Sequence, residues 1–306
     1  MWNFLVGMGG LESNDLGAVT GMGPSLTRIA TVGYEPPALY EAEPAVIRFQ
    51  KDLGPSGLQL VADALKSAVS QGAAVLAILP RWAADPGRRA LETVTAARAA
   101  PRLILHESLL PPLGGSVLVA IAAAIAPLVG GAGLLAAALP RIERDLVTGA
   151  WLSSVAGLHH PSPSLSQHAA SMVPWSSFAV IASPFERIER LTRKRESIEV
   201  PRPRQPYGLL IADRDGNPEW VRRAVLPNLG SPPTREVKPT ALGPTYWGTP
   251  RLTEFAAYPV DIAAFTEHAR AGLMAVSCRW CGEEIVADPC PFCGVSSDAI
   301  EEEVVS

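Results

Sequence analysis

Charge is scarce in this chain of 306 residues, because Asp, Glu, Lys and Arg together make up only 18 % of it. Hydrophobic residues account for 48 %, and the mean hydropathy is positive, at +0.18. The net charge of −4 gives no general attraction to phosphates, which argues against a broadly basic nucleic-acid-binding protein. Much of the chain is therefore expected to lie in buried surface.

Motifs that mark particular reactions are also missing. The sequence has no G-x-S-x-G nucleophile elbow, no phosphate-binding P-loop and no H-E-x-x-H metal motif. The first residues carry no basic cluster of the kind that opens a secretory signal, and reduced cysteines favour the cytoplasm. We therefore expect a cytoplasmic protein that is not an enzyme.

Cysteine is rare, and its four occurrences lie together near the C-terminus, as Cys278-Arg-Trp-Cys281 and Cys290-Pro-Phe-Cys293. Two C-x-x-C pairs with a short spacer bring four thiolates to the corners of a tetrahedron, the geometry that structural zinc prefers. Two disulfides or an iron–sulfur site are the alternatives. The spacing favours a structural Zn²⁺ bound by all four cysteines.

The segment around residues 277–295 resembles the zinc-ribbon family, whose two knuckles match Cys-Arg-Trp-Cys-Gly and Cys-Pro-Phe-Cys-Gly. The resemblance implies a small module held together by Zn²⁺, with no open coordination position for catalysis. From residue 277 to residue 306 the single cation is Arg279, against seven carboxylates. A nucleic-acid partner is therefore not favoured, and a protein-docking face is.

Strand and helix patterns alternate between residues 45 and 108. Strands are predicted at 45–49, 75–79 and 103–105, with an amphipathic helix at 58–69 and another helix from Asp85. This βαβαβ order predicts a parallel sheet. Ligands of such sheets gather at the carboxyl ends of the strands, where His106 and Glu107 follow the third strand. An enzyme site at these two residues is the catalytic alternative.

A stretch of 32 residues from Leu109 to Pro140 contains no charge. Its length and hydropathy would allow a membrane span. Prolines and glycines divide it into two halves, however, and alanine, which is only weakly hydrophobic, dominates both. An Ala/Gly-rich helical hairpin buried in the protein is favoured, and membrane association through 109–140 is the alternative.

Two local signals mark the region that follows. Ser183-Pro184-Phe185-Glu186 forms a capping box with proline at the first helical position, which predicts a basic helix. Asp-Gly within residues 213–217 predicts a hairpin turn between strands at 207–212 and 220–226. A short helix is predicted at 263–273.

Together these patterns predict an α/β fold: a mostly parallel sheet with flanking helices, the helical hairpin and a small C-terminal zinc ribbon. The predicted domains are an α/β body at 1–230, an irregular wrap with a short helix at 231–274, and the zinc ribbon with an acidic tail at 275–306. The favoured function is a non-catalytic structural or interaction subunit of a larger intracellular assembly. Its zinc-stabilised module would dock to other protein subunits, and no small-molecule ligand is assigned.

Overall fold

The computed structural model describes residues 27–40, 46–49, 57–83, 89, 91–93, 102–193, 197–201, 203, 205–286 and 288–296. The helix predicted from Asp85 begins outside the described residues, and the acidic tail beyond residue 296 also lies outside them. Within these ranges the chain forms two large sheets, with apolar helices packed between them.

The first sheet is parallel, with its strands in the order β2-β1-β3-β4. Its strands are β1 Thr27–Val32, β2 Ile47–Phe49, β3 Ala74–Pro80 and β4 Leu103–Ser108. All seven residues of β3 are buried, because helix α1 (Gly57–Ser70) covers one face of the sheet and the apolar helices cover the other. The predicted α/β fold with a parallel sheet is confirmed.

The apolar helices are α2 (Pro112–Val129) and α3 (Ala132–Asp145). Helix α2 is long and apolar enough to cross a membrane, yet 89 % of it is buried inside the protein. It packs against β1 and β3 of the first sheet and against the second sheet. The predicted helical hairpin is therefore present, and the membrane anchor through 109–140 is wrong, because this uncharged stretch is the core between two sheets.

The second sheet has six strands in the order β7-β6-β5-β10-β8-β9, and all pairs except β8–β9 are antiparallel. The central strand β10 is buried along its whole length. The strands are β5 Thr148–Leu152, β6 Ser177–Ser183, β7 Arg187–Leu191, β8 Tyr207–Arg214, β9 Thr234–Val237 and β10 Leu252–Pro259.

Short helices connect these strands. They are α4 Leu165–Ser171, α5 Pro218–Ala224, α6 Gly243–Trp247 and α7 Ile262–Arg270, with a 3₁₀ turn at Leu226–Leu229. A hairpin of two-residue strands, β11 Val276–Ser277 and β12 Glu284–Ile285, follows α7 and begins the cysteine segment.

Two local predictions are wrong. The capping box at 183–186 does not start a helix. The chain turns there, and β7 pairs antiparallel with β6 at the edge of the second sheet, a tertiary pairing that outweighs the local helix signal. Residues 220–226 form no strand, because the Asn217 side chain accepts a hydrogen bond from the Trp220 N–H (2.9 Å) and caps helix α5.

Candidate functional site

The four predicted metal ligands lie together. The sulfur atoms of Cys278, Cys281, Cys290 and Cys293 are all within 4.8 Å of one another. The Sγ atoms of Cys278 and Cys293 are 3.8 Å apart, and those of Cys281 and Cys290 are 3.7 Å apart. Both distances are far longer than the roughly 2.05 Å of a disulfide. The cluster is therefore a set of four free thiols spaced to hold one metal ion.

The two halves of the cluster have the same backbone. In the first half the Gly282 N–H donates to the carbonyl of Cys278 (2.9 Å), and in the second half the Gly294 N–H donates to the carbonyl of Cys290 (2.8 Å). Both glycines have φ of +74°, a conformation that side chains disfavour. Each half therefore folds as a compact knuckle that turns its sulfurs toward the other half.

The thiols of the cluster differ in acidity. Backbone N–H groups of Cys281 and Trp280 lower the pKa of Cys278 to about 7, whereas partial loss of water around its sulfur raises the pKa of Cys281, an exposed residue, to about 12. Burial also raises the pKa of Cys290. Ionising the Cys281 and Cys290 thiols together is therefore favoured by a nearby positive charge, which a bound divalent cation would provide.

The cysteine module packs on the body of the protein. The Arg102 guanidinium, beside β4, forms an ion pair with Glu283 at 2.8 Å. Helix α3 approaches β12 so closely that a Cβ at Gly133 would collide with the carbonyl oxygen of Glu284. Phe292 also packs against the core between the sheets. The module is thus joined to α3 and the first sheet of its own chain.

A second group of polar residues lies at the carboxyl edge of the first sheet. Tyr34 follows β1, Trp82 follows β3, and Ser108 ends β4. The Tyr34 hydroxyl and the Trp82 indole N–H both donate to the carbonyl of Leu110, at 3.4 and 3.0 Å. Burial raises the pKa of Tyr34, which keeps its hydroxyl protonated. These two hydrogen bonds therefore join the carboxyl edge of the first sheet to the residues that precede α2.

The second sheet adds two hydroxyls to this region. The Tyr246 ring of α6 lies 4.9 Å from the Trp82 ring, edge to face. Thr148, at the start of β5, packs against Gly114 in the first turn of α2. Both hydroxyl oxygens are buried, and neither has a hydrogen-bond partner among the described residues. We call this set the strand-end cluster: Tyr34, Trp82, Ser108, Thr148 and Tyr246.

The first turn of α2 connects these groups. Gly114 contacts Thr148, and Gly115 lies so close to the Tyr34 ring that a side chain would not fit. The Leu113 N–H donates to the Glu254 carboxylate of β10 at 3.3 Å. Three consecutive residues of one helical turn therefore each contact a different polar side chain.

Glu254 is buried without a cation beside it among the described residues. Besides Leu113, its carboxylate accepts hydrogen bonds from the Trp247 indole N–H (3.0 Å) and the Thr240 hydroxyl. Burial raises the pKa of Glu254, and these three donors offset part of that rise. The carboxylate caps the N-terminus of α2, where positive helix-dipole charge accumulates.

The predicted pair of His106 and Glu107 is not formed. The His106 Nε2 atom lies 3.1 Å from the Glu143 carboxylate on α3, whereas Glu107 faces Arg81 at 3.9 Å. Neighbouring residues on a strand point to opposite faces, so the two side chains separate. The two residues therefore do not form one site.

A cleft of about 270 Å³ opens where α3 ends and β5 begins. A basic side chain from α3 and another from α7 share it with prolines and a tyrosine. In the cleft the His268 imidazole lies 3.2 Å from the Asp145 carboxylate. The residues that line the cleft are Arg144, Asp145, Val147, Pro184, Pro201, Pro203, Gln205, Tyr207 and His268.

No protein-family model and no curated protein matches this sequence. Solved structures do resemble it. A DegV family protein from Eubacterium eligens, loaded with heptadecanoic acid, superposes with a TM-score of 0.50 and 10 % identity, over 76 % of this chain and 99 % of that one. A fatty acid binding DegV family protein from Streptococcus agalactiae gives 0.51 and 11 %, over 77 % and 99 %. The body of this chain has a DegV-like fold.

This likeness corrects the functional prediction. A structural assembly subunit with protein subunits as its main partners is wrong, because the fold is shared with one protein that is loaded with a fatty acid and another that is described as fatty acid binding. The cysteine module is an additional element that packs on this DegV-like body.

The sequence reasoning missed the strand-end cluster. Its members are separated by up to about two hundred positions along the chain. A hydroxyl-rich site made from two sheets has no local sequence pattern.

Proposed function

We propose that this protein binds a fatty acid, or a similar long-chain acid, between its two sheets. The observation that carries the proposal is the backbone likeness to two DegV family proteins over about three quarters of the chain. The protein from E. eligens is loaded with heptadecanoic acid, and the protein from S. agalactiae is described as fatty acid binding. The remaining support comes from the chemistry of this chain's own interior.

The strand-end cluster suits the acidic end of such a ligand. A carboxylate accepts hydrogen bonds from hydroxyls, and the Thr148 and Tyr246 hydroxyls have no partner among the described residues. Buried polar groups are normally satisfied, so two unpartnered hydroxyls beside one helical turn favour a polar ligand at that position.

The apolar core beside the cluster suits the alkyl part. Helix α2 presents small side chains there: Ala120, Ala122, Ala123, Ala124 and Ala126 are all buried between the sheets. Transfer of each methylene from water into such surroundings is favourable by about 0.8 kcal/mol. A chain of a dozen or more methylenes therefore supplies most of the binding free energy, and the hydroxyls supply orientation.

The cleft lined by Arg144 and His268 is a second candidate position for the carboxylate. Its volume of about 270 Å³ lies just below the roughly 300–1,000 Å³ typical of ligand pockets. Arginine binds carboxylates through paired hydrogen bonds. Affinity measurements on variants of the two positions distinguish them.

We also propose that the four cysteines, Cys278, Cys281, Cys290 and Cys293, hold a structural Zn²⁺ as a zinc ribbon. Four free thiols within 4.8 Å of one another support a tetrahedral site with no open position. Zinc analysis of protein purified under reducing conditions should give one ion per chain. A cytoplasmic location suits reduced thiolates, and the expectation that the chain is not an enzyme stays a prediction.

The proposal is tested first by extracting lipids from the purified protein and identifying them by mass spectrometry. Delipidated protein is then titrated with palmitic acid in a calorimeter. Thr148→Val and Tyr246→Phe each remove one hydroxyl with little change of shape. Because a hydrogen bond to a charged group contributes about 1.5–3 kcal/mol, each substitution should weaken binding by roughly ten- to a hundredfold.

Thr27→Val is the matched control. Its hydroxyl is also buried without a partner among the described residues, but it lies at the opposite edge of the first sheet, at the start of β1. The affinity of the Thr27→Val protein for palmitic acid should equal that of the unaltered protein. A loss of affinity in Arg144→Gln alone would place the carboxylate in the cleft instead. Absence of any fatty-acid binding would refute the proposed function.

A further inference from the structure

Apolar side chains are exposed on helix α4 and the turn after it. Leu165 is 88 % exposed, Met172 84 %, Val173 48 % and Trp175 99 %. Of the twelve exposed large hydrophobic residues in the described part of the chain, these four fall within eleven positions. Helix α4 buries none of its seven residues. We call these four residues the α4 face.

The α4 face is held outward by its surroundings. Ser164 and Gln167 form a reciprocal capping box at the start of α4, and the Gln167 amide also donates to the carbonyl of Ile188 on β7 (2.9 Å). Leu165 and Met172 are two helical turns apart and therefore lie on one side. Trp175 has φ of +58°, an uncommon conformation for a side-chain-bearing residue.

Positive charge borders the α4 face. Residues 146–185 contain no Asp, Glu, Lys or Arg, so the charges near the α4 face come from neighbouring segments. The Arg190 guanidinium donates to the Ser176 hydroxyl at 3.3 Å, next to Trp175. Arg193 and Arg223 line a cleft of about 250 Å³ with Trp175, and none of the residues around that cleft is acidic.

Three carboxylates on and beside β7, in the part of the chain that the structure describes, have basic partners. Glu189 and Glu199 both pair with Arg187, at 3.0 and 2.6 Å, and Glu186 lies 3.1 Å from His160. The surface therefore combines exposed apolar side chains with cations, in a protein whose net charge is −4.

We propose that the α4 face docks this protein on the surface of an anionic lipid bilayer. Trp, Leu and Met enter the boundary between headgroups and acyl chains, and flanking arginines are attracted to anionic headgroups. Docking of this kind is peripheral and reversible, and it leaves α2 buried in the core. It uses none of the residues of the strand-end cluster, so it does not rest on fatty-acid binding.

The test is cosedimentation of the full chain with vesicles of phosphatidylcholine, with or without phosphatidylglycerol. The unaltered protein should bind the vesicles that contain phosphatidylglycerol. The triple variant Leu165→Ser/Met172→Ser/Trp175→Ser should bind them at least about tenfold more weakly, because three apolar side chains no longer leave water. Leu60→Ser/Met274→Ser removes two exposed apolar residues elsewhere and should bind like the unaltered protein.

Arg190→Gln/Arg193→Gln tests the electrostatic part. This variant should lose most of the preference for phosphatidylglycerol, and added salt should have the same effect on the unaltered protein. Equal vesicle binding by the triple variant and the unaltered protein would overturn the proposal, as would absence of vesicle binding altogether. Palmitic-acid affinity of the triple variant should be unchanged, which separates this proposal from the function proposed above.

Discussion

Replacing Glu254 tests how the uncharged core tolerates a buried carboxyl group. Its carboxylate accepts hydrogen bonds from Leu113, Trp247 and Thr240, and the residue is 1 % exposed. Glu254→Ala would leave three buried donors unpartnered and a cavity beside α2. Each unpartnered donor costs about 1–3 kcal/mol, partly offset because no charge is buried any longer. We expect the free energy of unfolding to fall by about 3–5 kcal/mol at neutral pH.

Glu254→Gln keeps the volume and removes the charge, so it isolates the titration of the carboxyl group. The folded-state pKa of Glu254 is raised above the usual 4.5, so the folded protein holds this proton more tightly than the unfolded chain does. Its contribution to stability is therefore fully present below the usual pKa and is lost as the pH rises through the folded-state pKa. The stability of the unaltered protein relative to Glu254→Gln should decline over that interval.

The measurement is urea unfolding at a series of pH values from mildly acidic to neutral. The difference between the two proteins cancels the other titrating groups, which lie at separate sites. Glu236→Gln, an exposed glutamate paired with Arg222, is the control, and its curve should stay within about 1 kcal/mol of the unaltered protein. Parallel pH curves for Glu254→Gln and the unaltered protein would refute the argument that burial raises this pKa.

Three further changes probe the cysteine module and the hydroxyls. Cys290→Ser should abolish stoichiometric zinc and lower the free energy of unfolding by about 2 kcal/mol or more, as measured by metal analysis and urea unfolding, because metal binding contributes to folding. Gly133→Ala should cost about 1–3 kcal/mol in the zinc-loaded protein, since its Cβ would collide with Glu284, and less after chelation. Thr148→Val and Thr27→Val should each raise the melting temperature of the ligand-free protein slightly, because each removes an unpartnered buried hydroxyl. A melting temperature lowered by several degrees in either would show that the hydroxyl has a partner.

Elements that are determined by residues close together in the sequence could be predicted from it. The cysteine cluster depends on spacing within sixteen residues, and the structure brings the four sulfurs together. Strand β3 is an uninterrupted apolar run, and burial on both faces is what such a run requires. The uncharged stretch was correctly predicted to be a buried hairpin because alanine and glycine allow close packing on both sides.

Elements decided by tertiary pairing were not predictable. Residues 183–186 satisfy a helix-start pattern, but pairing of β7 with β6 overrides that local preference. The second sheet joins β5 to β10 and β10 to β8 across about a hundred and about forty residues, and no periodicity encodes that order. The strand-end cluster depends on the same pairing, so its five residues could not be assembled from the sequence.

The first turn of α2 explains why Glu254 and the strand-end cluster belong together. Pro111 provides no side-chain cap, so an acceptor for the first N–H groups must come from another element, and β10 supplies Glu254. Gly114 and Gly115 in the same turn contact Thr148 and Tyr34. A ligand carboxylate at the Thr148 and Tyr246 hydroxyls would thus lie near the Glu254 carboxyl group, because Gly114, which contacts Thr148, directly follows Leu113. Two carboxylates that close repel each other, and a raised pKa at Glu254 reduces that repulsion because it favours the neutral form. The Glu254→Gln protein should therefore bind palmitic acid at least as tightly as the unaltered protein, and weaker binding would place the carboxylate elsewhere.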